Sequence, residues 1–106
     1  MKNLNLNYEG FEEYLVERTD RSTTNWNFEE APGVQYVFRF ENNYGASIIK
    51  HLGSYGYDKN LWELGVIQFD EDDEYDLTYD TPITNDVEGY LTDEDVRNLL
   101  ARIKEL

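Results

Sequence analysis

The chain has no cysteine, one histidine, one methionine, two prolines and nine basic residues against 23 acidic ones in 106 positions. Without cysteine there is neither a disulfide framework nor a thiolate metal site, and the cytosol is the natural compartment. Nowhere do about 18 apolar residues follow one another, and the opening Met-Lys-Asn-Leu-Asn-Leu-Asn lacks the apolar run of a signal peptide, so a soluble intracellular protein is expected. Nine dispersed bases form no cluster able to neutralise several phosphates, which argues against direct nucleic-acid binding and against anionic membranes. One histidine, His51, with no positioned partner gives no general-base constellation, and Ser22, Ser47 and Ser54 stand in no nucleophile-elbow context. No enzyme activity and no cofactor are read from the chain.

What the chain does have is aromatic and acidic. Tyr, Phe and Trp make up 15% of the residues, too many for a disordered acidic tail, so a single folded domain over residues 1–106 is expected. The acids are concentrated: from Asn60 to Val96 there are 13 and no Lys or Arg, which accounts for nearly all of the net charge of −14. Such a tract makes a long-range negative field that attracts cationic partners.

Along the chain, Phe11, Tyr14, Leu15 and Arg18 fall at helical spacing, predicting a short amphipathic helix over Tyr8–Arg18. Asp20–Glu30, around Trp26, reads as a loop or irregular strand ending at Pro32-Gly33. From Val34 the period becomes two, with Val34, Tyr36, Phe38 and Phe40 on one face. Asn42-Asn43-Tyr44-Gly45 supplies a hairpin turn, and Ala46–Leu52 alternates again. Further strands are expected over Leu61–Phe69 and Glu74–Asp80. Thr92 and Asp95 resemble a capping box, and Val96, Leu99, Leu100 and Ile103 form the apolar stripe of a C-terminal helix. The fold expected is α+β: an antiparallel four-stranded meander covered by the C-terminal helix, with a short N-terminal helix. Trp62, between Leu61 and Leu64, is expected in the core.

The run Asp70-Glu71-Asp72-Asp73-Glu74-Tyr75-Asp76 invites a calcium reading. It lacks the glycine and glutamate that a helix-loop-helix calcium loop needs at its sixth and twelfth positions, here Tyr75 and Thr81. Weak divalent binding stays open, and two further roles suit the tract. It resists aggregation as a charged surface, or it meets a basic partner, with Asp72, Glu74, Asp76 and Asp80 as a row of carboxylates spaced about 6.6 Å along a strand. DNA offers a charge every ~3.4 Å per strand, so such a row could stand in for phosphates. The residues expected to bind a partner are Asp70, Glu71, Asp72, Asp73, Glu74, Asp76, Asp80, Asp86 and Glu88, with the loop tyrosines Tyr44, Tyr55 and Tyr57 as aromatic contacts.

The segments Tyr44-Gly-Ala-Ser-Ile-Ile-Lys-His51, Leu61-Trp-Glu-Leu-Gly-Val-Ile67, Tyr79-Asp-Thr-Pro-Ile-Thr84 and Gly89-Tyr-Leu-Thr92 resemble a family of small bacteriophage and prophage proteins that has no assigned catalytic residues. The resemblance implies a phage setting. Cysteine-free, acidic phage proteins of this size are also similar as a class to host-defence inhibitors, including DNA mimics. The expected partner is then a basic host protein such as a CRISPR effector or other defence nuclease, met in the bacterial cytoplasm by a monomer or small homo-oligomer. The competing expectation is a structural or accessory phage protein that assembles through its sheet edge and its tyrosine-rich loops.

Overall fold

The computed structural model describes residues 3–20, 33–83 and 87–106. Its elements are β1 (Leu15–Asp20), β2 (Gly33–Arg39), β3 (Tyr44–His51), β4 (Trp62–Phe69), β5 (Tyr75–Leu77), β6 (Glu88–Leu91) and α1 (Asp93–Lys104). The fold is α+β, an antiparallel sheet and a C-terminal helix with two short 3₁₀ turns. Among the described residues no helix is long and apolar enough to cross a membrane.

The period-two reading of β2 holds. Val34, Tyr36, Phe38 and Phe40 are buried on one face, where Ala46, Ile48, Leu64 and Val66 join them, and Val37 sits on the other with Ile67 and Phe69. The turn into β3 puts Asn43 at φ 68, the left-handed region that asparagine tolerates.

Among the described residues the strand count is six, not four. The order is β1-β2-β3-β4-β5, with β6 also paired to β4. Tyr75, Asp76 and Leu77 oppose Phe69, Gln68 and Ile67, while Glu88 and Leu91 oppose Leu64 and Trp62. β5 and β6 are thus two pieces of one outer strand, laid end to end along the same edge of β4. The chain between them leaves the ladder after the Thr78 N–H bonds to the Val66 carbonyl at 2.9 Å. A four-residue piece containing a glycine shows no alternation, which is why β6 escapes a periodicity search.

The N-terminal helix expected over Tyr8–Arg18 is absent. Glu12–Tyr14 make one 3₁₀ turn and β1 follows. A bulge explains the misleading spacing: Leu15 opposes Phe38, Glu17 opposes Val37 and Arg18 opposes Tyr36, so the extra residue brings Leu15 and Arg18, three apart, to one face. Phe11 and Tyr14 lie just before it, with ring centroids 6.3 and 4.9 Å from that of Phe40. Bulge and turn together imitate a helical repeat. The Asp20–Glu30 expectation, with Trp26, falls outside the described residues beyond Asp20, which ends β1.

Helix α1 forms where its signals place it. Thr92 Oγ1 accepts from the Asp95 N–H at 3.1 Å and Asp95 Oδ2 accepts from the Thr92 N–H at 3.0 Å, closing the capping box. Val96, Leu100 and Ile103 are buried against the sheet and Leu99 is half-buried. Trp62, fully buried, donates its indole N–H to Asp93 Oδ1 at 2.7 Å and so ties β4 to the first turn of the helix. At the other end Asn42 Nδ2 donates to the carbonyls of Ile103, Lys104 and Leu106 at 3.0–3.2 Å, satisfying acceptors that a helix terminus leaves open. Beside the helix the N-terminal segment covers the β2 side of the face, with the Tyr8 ring 5.7 Å from Tyr36 and 5.6 Å from Phe38.

Asn42 also accepts the Tyr44 N–H at 2.9 Å, so one side chain closes both the hairpin and the helix. Asn42→Ala is expected to lower the free energy of unfolding by about 1–2 kcal/mol, the cost of freeing partly buried backbone groups. Urea denaturation checks this, and an unchanged midpoint would contradict the capping role.

Candidate functional site

The acidic turn joins β4 to β5, and its backbone is organised by its own first residue. The Asp70 N–H donates to the Glu74 carbonyl at 2.8 Å and the Asp73 N–H to the Asp70 carbonyl at 3.2 Å. Asp70 Oδ1 then accepts from the amides of Asp72 and Glu74 at 2.8 and 3.1 Å. Such local capping is what short acidic side chains do in turns. Asp73 takes the left-handed conformation at φ 62.

Among the described residues a single base reaches the turn. Arg39, at the end of β2, places Nη1 2.7 Å from Asp73 Oδ1 and Nη2 3.0 Å from Asn43 Oδ1, with its guanidinium carbon 4.6 Å from the centre of the Phe69 ring. The β3 residue opposite Arg39 is Gly45, which sets no side chain in its path. Asp73 remains 78% exposed, so this ion pair is largely screened and contributes at most about 1 kcal/mol. Six carboxylates from Asp70 to Asp76 therefore face one guanidinium, and all six are exposed.

The expected row of carboxylates is not built as a strand. Only Tyr75–Leu77 are extended in the ladder, because Asp70 turns the chain where the strand was read to begin. Asp72 and Glu74 are in the turn, Asp76 is in β5 opposite Gln68, and Asp80 lies past the end of β5. What results is a cap of charge at one end of the sheet.

The other site residues divide between the two ends of β4. Tyr44 is a strand residue and not a loop one: it opens β3 opposite Gln68, half-buried and packed on the core. Tyr55 and Tyr57 lie in the β3–β4 loop and Glu88 in β6, beside the Trp62 end. Seven residue steps separate Trp62 from Phe69, about 23 Å of extended chain, so the acidic turn and the Tyr55 loop are not one patch. Glu88 lines a groove of about 320 Å³ with Ile83, Leu91, Asp95, Leu99 and Arg102 along the helix flank. Asp86 lies outside the described residues. Sequence reasoning missed Arg39, which is an ordinary strand position in the pattern.

No family model, no curated protein and no solved structure matches the chain. The chemistry is therefore read from the site alone. Among the described residues no group of three or more His, Asp or Glu side chains is placed to hold a metal ion. His51 ends β3 with Nδ1 3.1 Å from the Leu52 carbonyl oxygen.

Beside the turn, Tyr75 stacks obliquely on Phe69 with centroids 5.3 Å apart. Burial pushes its phenol above the usual value, and the negative charge of Glu17 adds to the effect. The folded state thus favours the neutral phenol. Its contribution to stability is complete below the ordinary tyrosine value near 10 and is lost as pH rises through the raised value. A phenolate absorbance titration should lose a late-titrating component in Tyr75→Phe, and that component should move earlier in Glu17→Gln.

The turn itself yields a second expectation. Asp70→Ala frees two backbone N–H groups and should cost about 1 kcal/mol in urea denaturation, whereas Glu71→Ala should be neutral. Equal effects of the two would contradict the capping geometry.

Proposed function

We propose that the protein is a phage-derived acidic inhibitor that docks its β4–β5 turn into the nucleic-acid-binding cleft of a basic host protein, such as a CRISPR effector or another defence nuclease. The observation that carries this reading is the concentration of six exposed carboxylates against one guanidinium at the tip of the sheet. A projecting tip of that charge fits a cleft lined by Lys and Arg, and long-range attraction speeds such an encounter. The phage-like segments in the chain support the setting, a bacterial cytoplasm.

The arrangement favours an electrostatic plug over a replica of a phosphate row. Asp72 and Glu74 are fixed by the turn, and no strand face carries them in line with Asp80. The charges act as a cluster, so the partner's preference would follow charge density and not base-pair spacing. A second reading, an accessory phage protein joining others through its sheet edge, draws on Leu77 at 45% exposure in β5 and Tyr79 at 49% just beyond it.

Capture from bacterial lysate separates the two. The docking reading predicts a basic protein that is released by added salt and displaced by duplex DNA. Its affinity should fall at least roughly tenfold with Asp72→Lys/Glu74→Lys/Asp76→Lys. Undiminished binding by that charge-reversed variant would sink it. Loss of binding on Leu77→Ser/Tyr79→Ser, with salt having little effect, would favour the edge reading.

A further inference from the structure

At the end of β4 away from the acidic turn, the outer strand slips by one residue. Leu91 opposes Trp62 and Glu88 opposes Leu64, so Gly89 and Tyr90 together stand across from the single residue Glu63. Bulges of this kind re-aim a side chain. The strain falls on the Tyr90 backbone: it sits at φ 58, a conformation that aromatic residues adopt rarely.

The neighbourhood enforces that conformation. Gly56, itself at φ 99, lies so close that a Cβ there would come within 3.1 Å of Tyr90 Cα and N. The Tyr90 N–H faces the Tyr55 carbonyl at 3.4 Å, and a Cβ on Gly89 would stand 2.5 Å from Tyr55 Cβ. Glu63 completes the arrangement, its Oε1 accepting the Tyr55 N–H at 2.9 Å. Yet for all this backbone contact the two side chains stay in solvent, Tyr55 at 60% and Tyr90 at 57% exposure. Packing does not explain them. A glycine would occupy the position of Tyr90 with less strain, so the ring is what the strained position holds in place.

Two exposed phenols carried on adjoining backbone, with a carboxylate bonded to the Tyr55 N–H, supply the groups that hold a guanidinium. Arginine stacks on aromatic faces and bonds a carboxylate through its planar fork. The surrounding charge is complementary, since exposed Asp58 and Glu88 stand near against the one base of the loop, Lys59. We infer that Tyr55, Tyr90 and Glu63 form a subsite for an arginine side chain of the partner protein. The inference rests on the reading of a basic partner and adds a second point of contact about 23 Å from the acidic turn, at the far end of the same strand. Two contacts on one rigid strand reinforce each other as linked sites, because the second forms at a high effective concentration.

An amide NMR titration with a synthetic hexa-arginine peptide, and with hexa-lysine beside it, tests the subsite. In the wild-type protein hexa-arginine should shift the amides of Tyr55, Gly56 and Gly89, and hexa-lysine should shift them less. The local response should persist in Asp72→Lys/Glu74→Lys/Asp76→Lys, which removes the other end. Tyr90→Gly suits the left-handed backbone, so its melting temperature should equal or exceed that of the wild type while local affinity falls roughly threefold to tenfold. Glu63→Gln, which keeps an acceptor for the Tyr55 N–H, should weaken it as well. Shifts confined to residues 70–76, or a local response unchanged in Tyr90→Gly and Glu63→Gln, would overturn the subsite and leave the acidic-turn reading standing. A local response that survives while the charge-reversed variant binds its host protein normally would sink the acidic-turn reading instead.

Discussion

A buried ammonium group organises the core. Lys50 projects from β3 into the face covered by α1, with the residue 1% exposed, and its Nζ donates to the Asn3 carbonyl at 2.7 Å and to Asn60 Oδ1 at 3.0 Å. The same nitrogen lies 4.1 Å from the centre of the Trp62 ring. Burying a charge costs several kcal/mol unless its donors are met, so these groups are obligatory neighbours. Each recruits another piece of chain. Asn3 brings in the N-terminal segment, whose amide in turn donates to Asn60 Oδ1 at 2.8 Å. Asn60, left-handed at φ 61, fixes the end of the β3–β4 loop. Trp62 carries the link onward to Asp93 and the start of the helix. Tyr36, with its ring edge-on to Trp62 at 5.8 Å, extends the cluster to β2, where its hydroxyl accepts from Arg18 Nε at 3.0 Å and from the Leu6 N–H at 3.2 Å.

With that cluster at one end, β4 becomes the spine of the molecule. Its core face carries Trp62, Leu64 and Val66 under the helix, and its outer edge is shared by two short strands. Sharing the edge has a functional consequence. A continuous outer strand would present one long row of unpaired backbone groups, an invitation to edge-to-edge association. Ending β5 at Leu77 and starting β6 at Glu88 gives the sheet two separate ends, one with the acidic turn and one with the Tyr90 bulge. Gly65 allows the split: Leu77 and Val87, from either side of the gap, both lie over it, and a Cβ there would come within 2.5 Å of Leu77 Cδ2.

How far the sequence spoke for the structure depended on whether the signal was local. The alternation of β2, the Asn43 turn, the capping box and the apolar stripe of α1 are properties of neighbouring residues, and each stands as read. β1 and β6 are set by partners far away in the chain. In β1 a bulge against β2 turned a period of two into the spacing of a helix, and β6 is four residues with a glycine among them, too short to carry a readable apolar pattern. The site divides the same way. The density of carboxylates from Asp70 to Asp76 is visible in the sequence, but which of them shape the turn is a matter of geometry. That Tyr44 belongs to the core and Tyr55 to the far end follows only from the register of β3 on β4.

The separation of charge from core also decides what a charge-reversal experiment can mean. Lys50 opposes Val34 at the Trp62 end of the sheet, whereas the acidic turn lies beyond Phe69 at the other. Those ends are about 23 Å apart, more than twice the screening length of about 8 Å at physiological ionic strength. The buried ammonium is held by Asn3, Asn60 and the Trp62 ring close at hand, so the field of the turn is not needed to keep it in place. Like charges crowded at the tip repel one another in the folded state, which makes their net contribution to stability small or unfavourable. Replacing Asp72, Glu74 and Asp76 therefore leaves the cluster around Lys50 intact, and a loss of binding on their reversal reports on the surface they present and not on the fold beneath it.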